Sequence, residues 1–375
     1  MRLGLIYGGI SVEHEISIIT AMQIYEELIS SYDVMNVYYA KNGKFYIGDN
    51  LSKLDNYKNL DEVVSKSIEV HFERIGNQVY VVENKLFGKK HQIDLAFLAM
   101  HGAMGEDGRL QGFLDVIGLE YTGPSHYGSV IGQDKTFTKD ILKANNFNVV
   151  DYINISDAMS VDEIKAQVKS LTYPVVLKPA TLGSSVGIGF CDSEDELEAA
   201  LNEAFKYDTK VVIENKISDF LEVNCSILGS YKNAKASVLE EILCEDFLSF
   251  ESKYMSGSKS KGMASTGRHI PARINEELTL KAQKMCLDAF KKLNLSGVVR
   301  FDLMIYNDDV YINEVNTIPG SLAYYLWDYS GVSKLDLYKE LINLAIEKKR
   351  IKASKISSYD TNVLEKGNFK GKKGK

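Results

Sequence analysis

Residues 297–320, GVVRFDLMIYNDDVYINEVNTIPG, decide how the rest of the chain is read. Residues 298–305 and 310–315 are rich in β-branched and aromatic side chains and flank an Asn-Asp-Asp turn, which predicts a β-hairpin. Alternate side chains of a strand share a face, so Arg300 and Asp302 point one way, and Glu314 and Asn316 join them from the returning strand. Two carboxylates and an amide oxygen are hard donors of the kind magnesium takes, an ion that keeps several waters and binds nucleotide phosphates. The plain alternative is an ion pair of Arg300 with Asp302 and Glu314 on a solvated sheet face, worth roughly 0–1 kcal/mol. Asn316 favours the metal, because an amide is an odd choice for an ordinary strand position and a good neutral ligand beside two carboxylates.

The 375 residues allow two or three domains with a sizeable core. A formal charge of -7 gives no general attraction to nucleic acid or an anionic membrane, which leaves small molecules as the expected partners. The four cysteines, Cys191, Cys225, Cys244 and Cys286, stand singly, without zinc-type spacing, as expected of buried thiols in a reduced, cytoplasmic protein. No apolar run approaches the roughly 20 residues of a membrane helix. Residues 1–7 are too short for a signal sequence and read as a first strand.

That strand runs into Gly8-Gly9, then SVEHEIS and a helix expected from 15 to about 30. Backbone N–H groups at such a turn favour an anion, although a doubly glycine turn without a full GxGxxG also fits close packing alone. Glu13 in this turn can receive an ammonium group. Residues 33–90 alternate short strands with polar turns. Residues 94–100 read as a buried strand delivering HGAMGEDGRLQG, residues 101–112, to the sheet edge where α/β folds bind ligands. His101, Glu106 and Asp107 lie there, and a capped helix start accounts for the two acids equally well. A helix is expected over 129–145, with Asp134 and Lys135 inside it. A strand over 173–177 ends in Lys178-Pro179 and opens a loop of small residues, 180–190, whose amides can wrap phosphates. It is no Walker loop, because the lysine precedes the glycines. A strand over 210–214 ends at Glu214, and Glu222 follows on the next strand, over 221–228. Either carboxylate suits an adenine amino group or ribose hydroxyls, or a surface ion pair. Residues 255–270 read as a mobile loop entered by Lys253 and Tyr254. Helices are expected over 276–293 and 335–348, and the end of the chain as a polar tail.

Taken together, GGISVEHEIS (8–17), HGAMGEDGRLQG (101–112), KPATLGSSVGI (178–188), Lys253-Tyr254 and RFD…NEVNTIPG (300–320) resemble the D-alanine:D-alanine ligases of the ATP-grasp superfamily, over residues 1–348. The fold implied is a three-domain ATP-grasp fold of α/β and α+β type. Its parts would be an open, Rossmann-like α/β domain over 1–124, ATP-grasp subdomains over 125–212 and 213–350, and a disordered basic tail over 351–375. The activity implied is ATP-dependent joining of two D-alanines through an acyl phosphate. Lys135, Lys178, Ser185 and Lys253 would meet the nucleotide with Glu214 and Glu222 on adenosine. Asp302, Glu314 and Asn316 would hold two magnesium ions, with manganese an acceptable substitute. Glu13 would take the first ammonium, Arg300 would stabilise the tetrahedral oxyanion, and Ser184 and Tyr254 would close the site. His101, Ser321 and Leu322 would meet the substrates. A cytoplasmic homodimer without nucleic-acid or membrane partners is expected.

Two segments depart from the family pattern. PGSLAYYLW, 319–327, is shorter than usual, and the 255–270 loop is longer and lacks a central aromatic. Both touch the second-substrate pocket, where Tyr254 favours an amine acceptor between pH 6 and 8 and a charged His269 would favour D-lactate. D-serine as acceptor, and a regulator that binds ATP without chemistry, are the competing readings. Arg300 argues against the second, since binding ATP needs no oxyanion-stabilising arginine.

Overall fold

The computed structural model describes residues 1–183, 186–243 and 267–356, with Ser358 and Glu365. The expected roles of Ser184, Ser185, Lys253 and Tyr254, and most of the 255–270 loop and the tail, lie outside these residues.

Three sheets form the frame. The first contains β1 (Arg2–Gly8), β2 (Asp33–Tyr39), β3 (Phe45–Ile47), β4 (Ile68–Ile75), β5 (Gln78–Glu83), β6 (Lys90–Ile93) and β7 (Leu95–Leu98), in the order β6-β5-β4-β3-β2-β1-β7. Only β7, β1 and β2 are mutually parallel. The rest is an antiparallel meander, its strands joined by short turns except for the longer connection over residues 48–67. Consistent with its parallel neighbours, β1 is almost wholly buried. Helix α1 (His14–Leu28) packs on β1, α2 (Leu60–Ser65) lies in the connection from β3 to β4, and α3 (Arg109–Ile117) follows β7.

The helix expected over 129–145 is instead two, α4 (His126–Gln133) and α5 (Lys135–Ala144). Asp134 breaks it, with extended φ/ψ of -82°/105° and a carboxylate that accepts from the Thr136 and Phe137 N–H groups. An aspartate that caps a new helix stabilises the break, which apolar periodicity does not reveal. The second sheet follows: β8 (Tyr152–Ser156), β9 (Val175–Pro179), β10 (Gly189–Cys191) and β11 (Lys210–Asn215), ordered β10-β9-β11-β8 and backed by α6 (Val161–Val168) and α7 (Leu197–Ala204). The expected 212/213 division falls within β11, and the passage to the third sheet is 216–220.

The third sheet, ordered β14-β13-β12-β15-β16, has β12 (Leu221–Gly229), β13 (Ala234–Leu243), β14 (Gly267–His269), β15 (Gly297–Tyr306) and β16 (Asp309–Asn316). The hairpin of β15 and β16 turns on Asn307 and Asp308, both at positive φ (51° and 60°), as a tight two-residue turn requires. Phe301, Leu303 and Ile312 point to α8 (Glu276–Lys292) and fill one core. The opposite face is free to carry the polar set. Residues 267–269, expected in a loop, pair with β13. Short α9 (Tyr324–Tyr329) leads to α10 (Lys334–Ala353), which extends the helix expected over 335–348 into the expected tail. Leu337, Tyr338 and Leu341 of α10 share the core of the first sheet.

Trp327, the chain's one tryptophan, is 1% exposed and donates from Nε1 to Ser226 Oγ at 2.9 Å. Replacing it with Phe leaves that hydroxyl without its donor and opens space. We expect a loss of roughly 1–3 kcal/mol of stability, read as an earlier urea unfolding midpoint. An unchanged midpoint would contradict this packing role.

Candidate functional site

Between the second and third sheets lies a cavity of about 710 Å³, lined among others by Lys135, Lys178, Glu214, Glu222, Asp302 and Glu314. The second sheet supplies Lys178 at the end of β9 and Glu214 on β11, which neighbours β9. Lys178 Nζ lies 3.1 Å from Glu214 Oε1 and donates to Asn313 Oδ1 at 3.0 Å. Lys139, one turn along α5 from Lys135, reaches Glu214 Oε2 at 3.2 Å and is 2% exposed. Burial raises the Glu214 pKa, but Lys139 and Lys178 outweigh it and hold the carboxyl below its usual range. Lys135 starts α5, placed by the Asp134 cap, which itself pairs with Lys210 of β11. Its Nζ lies 2.9 Å from Glu314 Oε1 and donates to Leu182 O at 2.7 Å. Phosphates entering this cleft meet two ammonium groups, one on each wall of the loop that follows β9.

The third sheet sets the opposite wall by register. Arg300 opposes Asn316, and Asp302 opposes Glu314, so the four side chains proposed from alternation do share one face. Between Asp302 and Leu303 the register shifts, because β16 carries one extra residue. The bulge turns Asn313 into the same cleft as Glu314, which alternation alone excludes. Arg300 grips Asp302 with two hydrogen bonds, Nε to Oδ1 at 2.6 Å and Nη2 to Oδ2 at 2.8 Å, and Asn316 Nδ2 donates to Oδ2 at 3.0 Å. Thus both the metal reading and the ion-pair reading describe real features of this face. Among the described residues no three acidic, histidine or cysteine side chains form a metal cage by themselves. Two carboxylates and an amide suit magnesium, whose remaining positions go to water and phosphate.

The first sheet delivers a third wall. Gly102 has φ +70°, and a Cβ there would lie 2.7 Å from Glu13 Oε2, so the turn after β7 passes directly over Glu13. Gly183, in the loop after β9, also approaches it, with 3.7 Å from Glu13 Oε1 to a Cβ built on it. Glu106, 6% exposed, accepts from the Gly102 N–H at 2.8 Å and the Ile318 N–H at 2.7 Å. Burial first, then the charge of Glu13, pushes its pKa up to about 8. His101 is buried, with Nδ1 2.7 Å from Ile318 O and Nε2 2.8 Å from Thr20 Oγ1, and burial pulls its pKa down to about 4. Both ring nitrogens are taken by the protein, so His101 acts on substrate only through the turn it holds. That turn has Ser321, Leu322 and Ala323 all left-handed, with φ of 50°, 52° and 49°. Ser321 N donates to Thr20 Oγ1 at 3.1 Å, and Ser321 and Leu322 are buried.

The structure therefore gathers Glu13, His101, Lys135, Lys178, Glu214, Glu222, Arg300, Asp302, Glu314, Asn316, Ser321 and Leu322 around one cleft and its inner end. His269 is not part of it. On β14 it opposes Glu241, one residue out of phase with the cleft-lining Ile242, so it lies on the far face and cannot govern the acceptor. Sequence reasoning missed Lys139 and Asn313. Lys139 had a legible signal in its four-residue spacing from Lys135 on one helix face; the bulge that turns Asn313 inward had none.

The D-ala D-ala ligase N-terminus family matches residues 2–124, and the D-ala D-ala ligase C-terminus family matches residues 141–343. The D-alanine--D-alanine ligase of Thermosipho melanesiensis is 38% identical over 97% of this chain and 98% of its own length. That of Thermoanaerobacter sp. is 35% identical over 92% and 96%. Among solved structures, the D-alanine-D-alanine ligase from Coxiella burnetii superimposes with a TM-score of 0.80 at 26% identity, covering 94% of this chain and 96% of that one. The enzyme from Helicobacter pylori gives 0.73 at 28% identity, over 92% and 99%. With both family halves matched and close relatives aligned end to end, the chain belongs to the D-alanine–D-alanine ligase family.

Proposed function

We propose that the three walls divide the work of an ATP-dependent D-alanine–D-alanine ligase, whose dipeptide enters peptidoglycan synthesis. The observation that carries this is the convergence of two cleft lysines, on β9 and α5, the Asp302–Glu314–Asn316 face of the third sheet, and Glu13 from the turn after β1. The adenosine end lies along Glu214 and Glu222, the phosphates at Lys135 and Lys178. Asp302, Glu314 and Asn316 would hold the two magnesium ions, which when bound would supply positive charge against the phosphates during transfer. Glu13 takes the ammonium of the first D-alanine. Its carboxylate oxygen attacks the γ-phosphorus, ADP leaves, and a poor electrophile becomes an acyl phosphate. The neutral amine of the second D-alanine then forms the C–N bond. Arg300 stabilises the tetrahedral oxyanion, the C–O bond breaks, phosphate departs with the electron pair, and the nitrogen sheds its extra proton. Holding both substrates at attack distance supplies much of the rate. The sequence likeness supports Ser185 and Lys253 at the nucleotide, Ser184 and Tyr254 as the closing residues, and Ser321 and Leu322 beside the second substrate. We assign the first sheet to a substrate unit over 1–124 and the second and third sheets to the two ATP-grasp halves, with the division moved from 212/213 to the passage at 216–220. The buried free thiols Cys191, Cys225 and Cys286 and the negative charge support a cytoplasmic enzyme without nucleic-acid partners. Among the described residues no helix is long and apolar enough to cross a membrane. A homodimer is the assembly we propose.

Asp302→Asn and Glu314→Gln are expected to lower kcat about a hundredfold or more while ATP affinity falls far less, because charge develops only in transfer. Equal losses in a nucleotide titration and in turnover would contradict this. Arg300→Ala should still form acyl phosphate but release little dipeptide, so that phosphate outruns dipeptide in a dual product assay. Wild-type dipeptide yield would remove Arg300 from its role.

Glu106 supplies a pH signature. With a folded pKa near 8, raised by burial and by Glu13, it holds its proton at pH 7. A substrate ammonium on Glu13 weakens that repulsion and lowers the Glu106 pKa, so D-alanine binding should release a proton between pH 7 and 8. Calorimetry in buffers of different ionisation enthalpy reads this directly; a binding heat independent of buffer would contradict it. The sign for stability agrees, since a raised carboxyl pKa favours the fold below the unfolded value of 4.5 and loses that contribution as pH rises towards 8.

A further inference from the structure

Of the acids lining the cleft, Glu214 is the most deeply buried, at 2% exposed. It opposes Val176 of β9 and Tyr152 of β8, while Glu222 opposes Ile242 of β13 and Met304 of β15. Val176, Ile242 and Met304 line the cavity with the two acids, and apolar side chains of this kind suit the faces of a base. Lys178 Nζ stands 3.1 Å from Glu214 Oε1 without the direction of a hydrogen bond, so this oxygen accepts none among the described residues. An N–H donor on a ligand would complete it.

Beside Glu214 lies a cation that the cavity does not reach. Lys139 is 2% exposed and is not among the lining residues. Its Nζ lies 3.2 Å from Glu214 Oε2 and 5.4 Å from the centre of the Tyr152 ring, and makes no hydrogen bond among the described residues. An ammonium this deep is costly unless a carboxylate faces it. Glu214 is faced by Lys139 and Lys135 from α5, Lys178 from β9 and Tyr152 from β8, with Glu222, Asp302 and Glu314 across the cavity. Burial works to raise the Glu214 pKa; Lys139 is the largest charge opposing it and Lys178 the next. Lys135 and Lys178 already line the cavity where phosphates enter, so the sealed lysine has a different task.

We propose that Lys139 is a positioning residue for base selection: it holds Glu214 in place as a carboxylate, an acceptor only, which admits a base edge bearing an amino group and turns away one bearing a carbonyl. A neutral carboxyl would carry an O–H and could donate to that carbonyl. The buried lysine removes the state that would blur the choice. This rests on the reading of the Glu214 wall as the adenosine end.

The test uses the full-length enzyme with ATP and inosine triphosphate, whose bases carry an amino group and a carbonyl at the same position. It reads the ratio of their kcat/KM values at about pH 6 and about pH 9. In the wild type the preference for ATP should be about tenfold or more and change less than about twofold with pH. In Lys139→Met, Lys178 becomes the main charge opposing burial, the carboxyl pKa rises, and the proton is retained towards acid pH. The preference should then fall about fivefold or more on going from pH 9 to pH 6, with the KM for D-alanine within about twofold of wild type. A preference equal to wild type at both pH values overturns the role of Lys139. If Lys139→Met does not fold, Glu214→Gln and the double variant, which removes the buried ion pair whole, decide the matter. Both should show the same weakened, pH-independent preference, because the lysine acts through the carboxylate. A double variant that differs from Glu214→Gln overturns the assignment. Wild-type preference in Glu214→Gln would instead overturn the placing of the adenosine end at this wall.

Discussion

The register of one hairpin is the constraint on which the site depends. Asp302 and Glu314 stand opposite each other because β15 and β16 are joined by a two-residue turn at Asn307–Asp308 and β16 then carries one extra residue, Asn313, which would otherwise face Asp302. Without that extra residue Glu314, two positions after Ile312, would fall on the apolar side with Phe301, Leu303 and Ile312 while Asp302 stayed in the cleft. Burial on that side therefore enforces the chemistry on this side. The bulge at Asn313 adds a third polar group to the cleft without disturbing the apolar layer, since Val315 and Ile312 keep their inward places.

Around the hairpin the charges are balanced in sets that span different elements. Arg300 with Asp302 lies within one strand, Lys135 with Glu314 joins α5 to β16, and Glu214 is shared by Lys139 and Lys178. Buried ions this dense are tolerable only when each has a partner. The arrangement keeps the lysines on the side of the second sheet and α5, and the oxygen donors Asp302 and Glu314 on the side of the third sheet.

Much of this was legible in the sequence because it depends on short-range periodicity. The alternation in 298–316, the buried run 95–98 and the lysine at the root of the 180–190 loop each carry their reading within a few residues. What escaped depends on partners far away in the chain. Asp134 splits a helix because its carboxylate caps α5 and meets Lys210. His269 reads as a loop histidine that, if charged, would bear on the acceptor, and only the pairing of β13 with β14 shows that it lies in a strand, opposite Glu241. His101 looked like a substrate contact, but its ring is consumed by Thr20 of α1 and by Ile318 in the loop after β16. Sequence spacing cannot show which donors a fold will bring to a side chain.

The turn at Ser321–Ala323 has a consequence for how such a protein can change. Three successive left-handed residues, none of them glycine, cost roughly 1–2 kcal/mol each. They are held by Thr20 of α1 and, through the neighbouring Ile318, by His101 and Glu106 of the loop after β7. The acceptor-side backbone is thus written in the last third of the chain and braced by the first. A gene exchange that replaced one end alone would import a turn without its brace or a brace without its turn. The two ends of this chain are consequently bound to be inherited as a unit, although some 200 residues of independently packed structure lie between them.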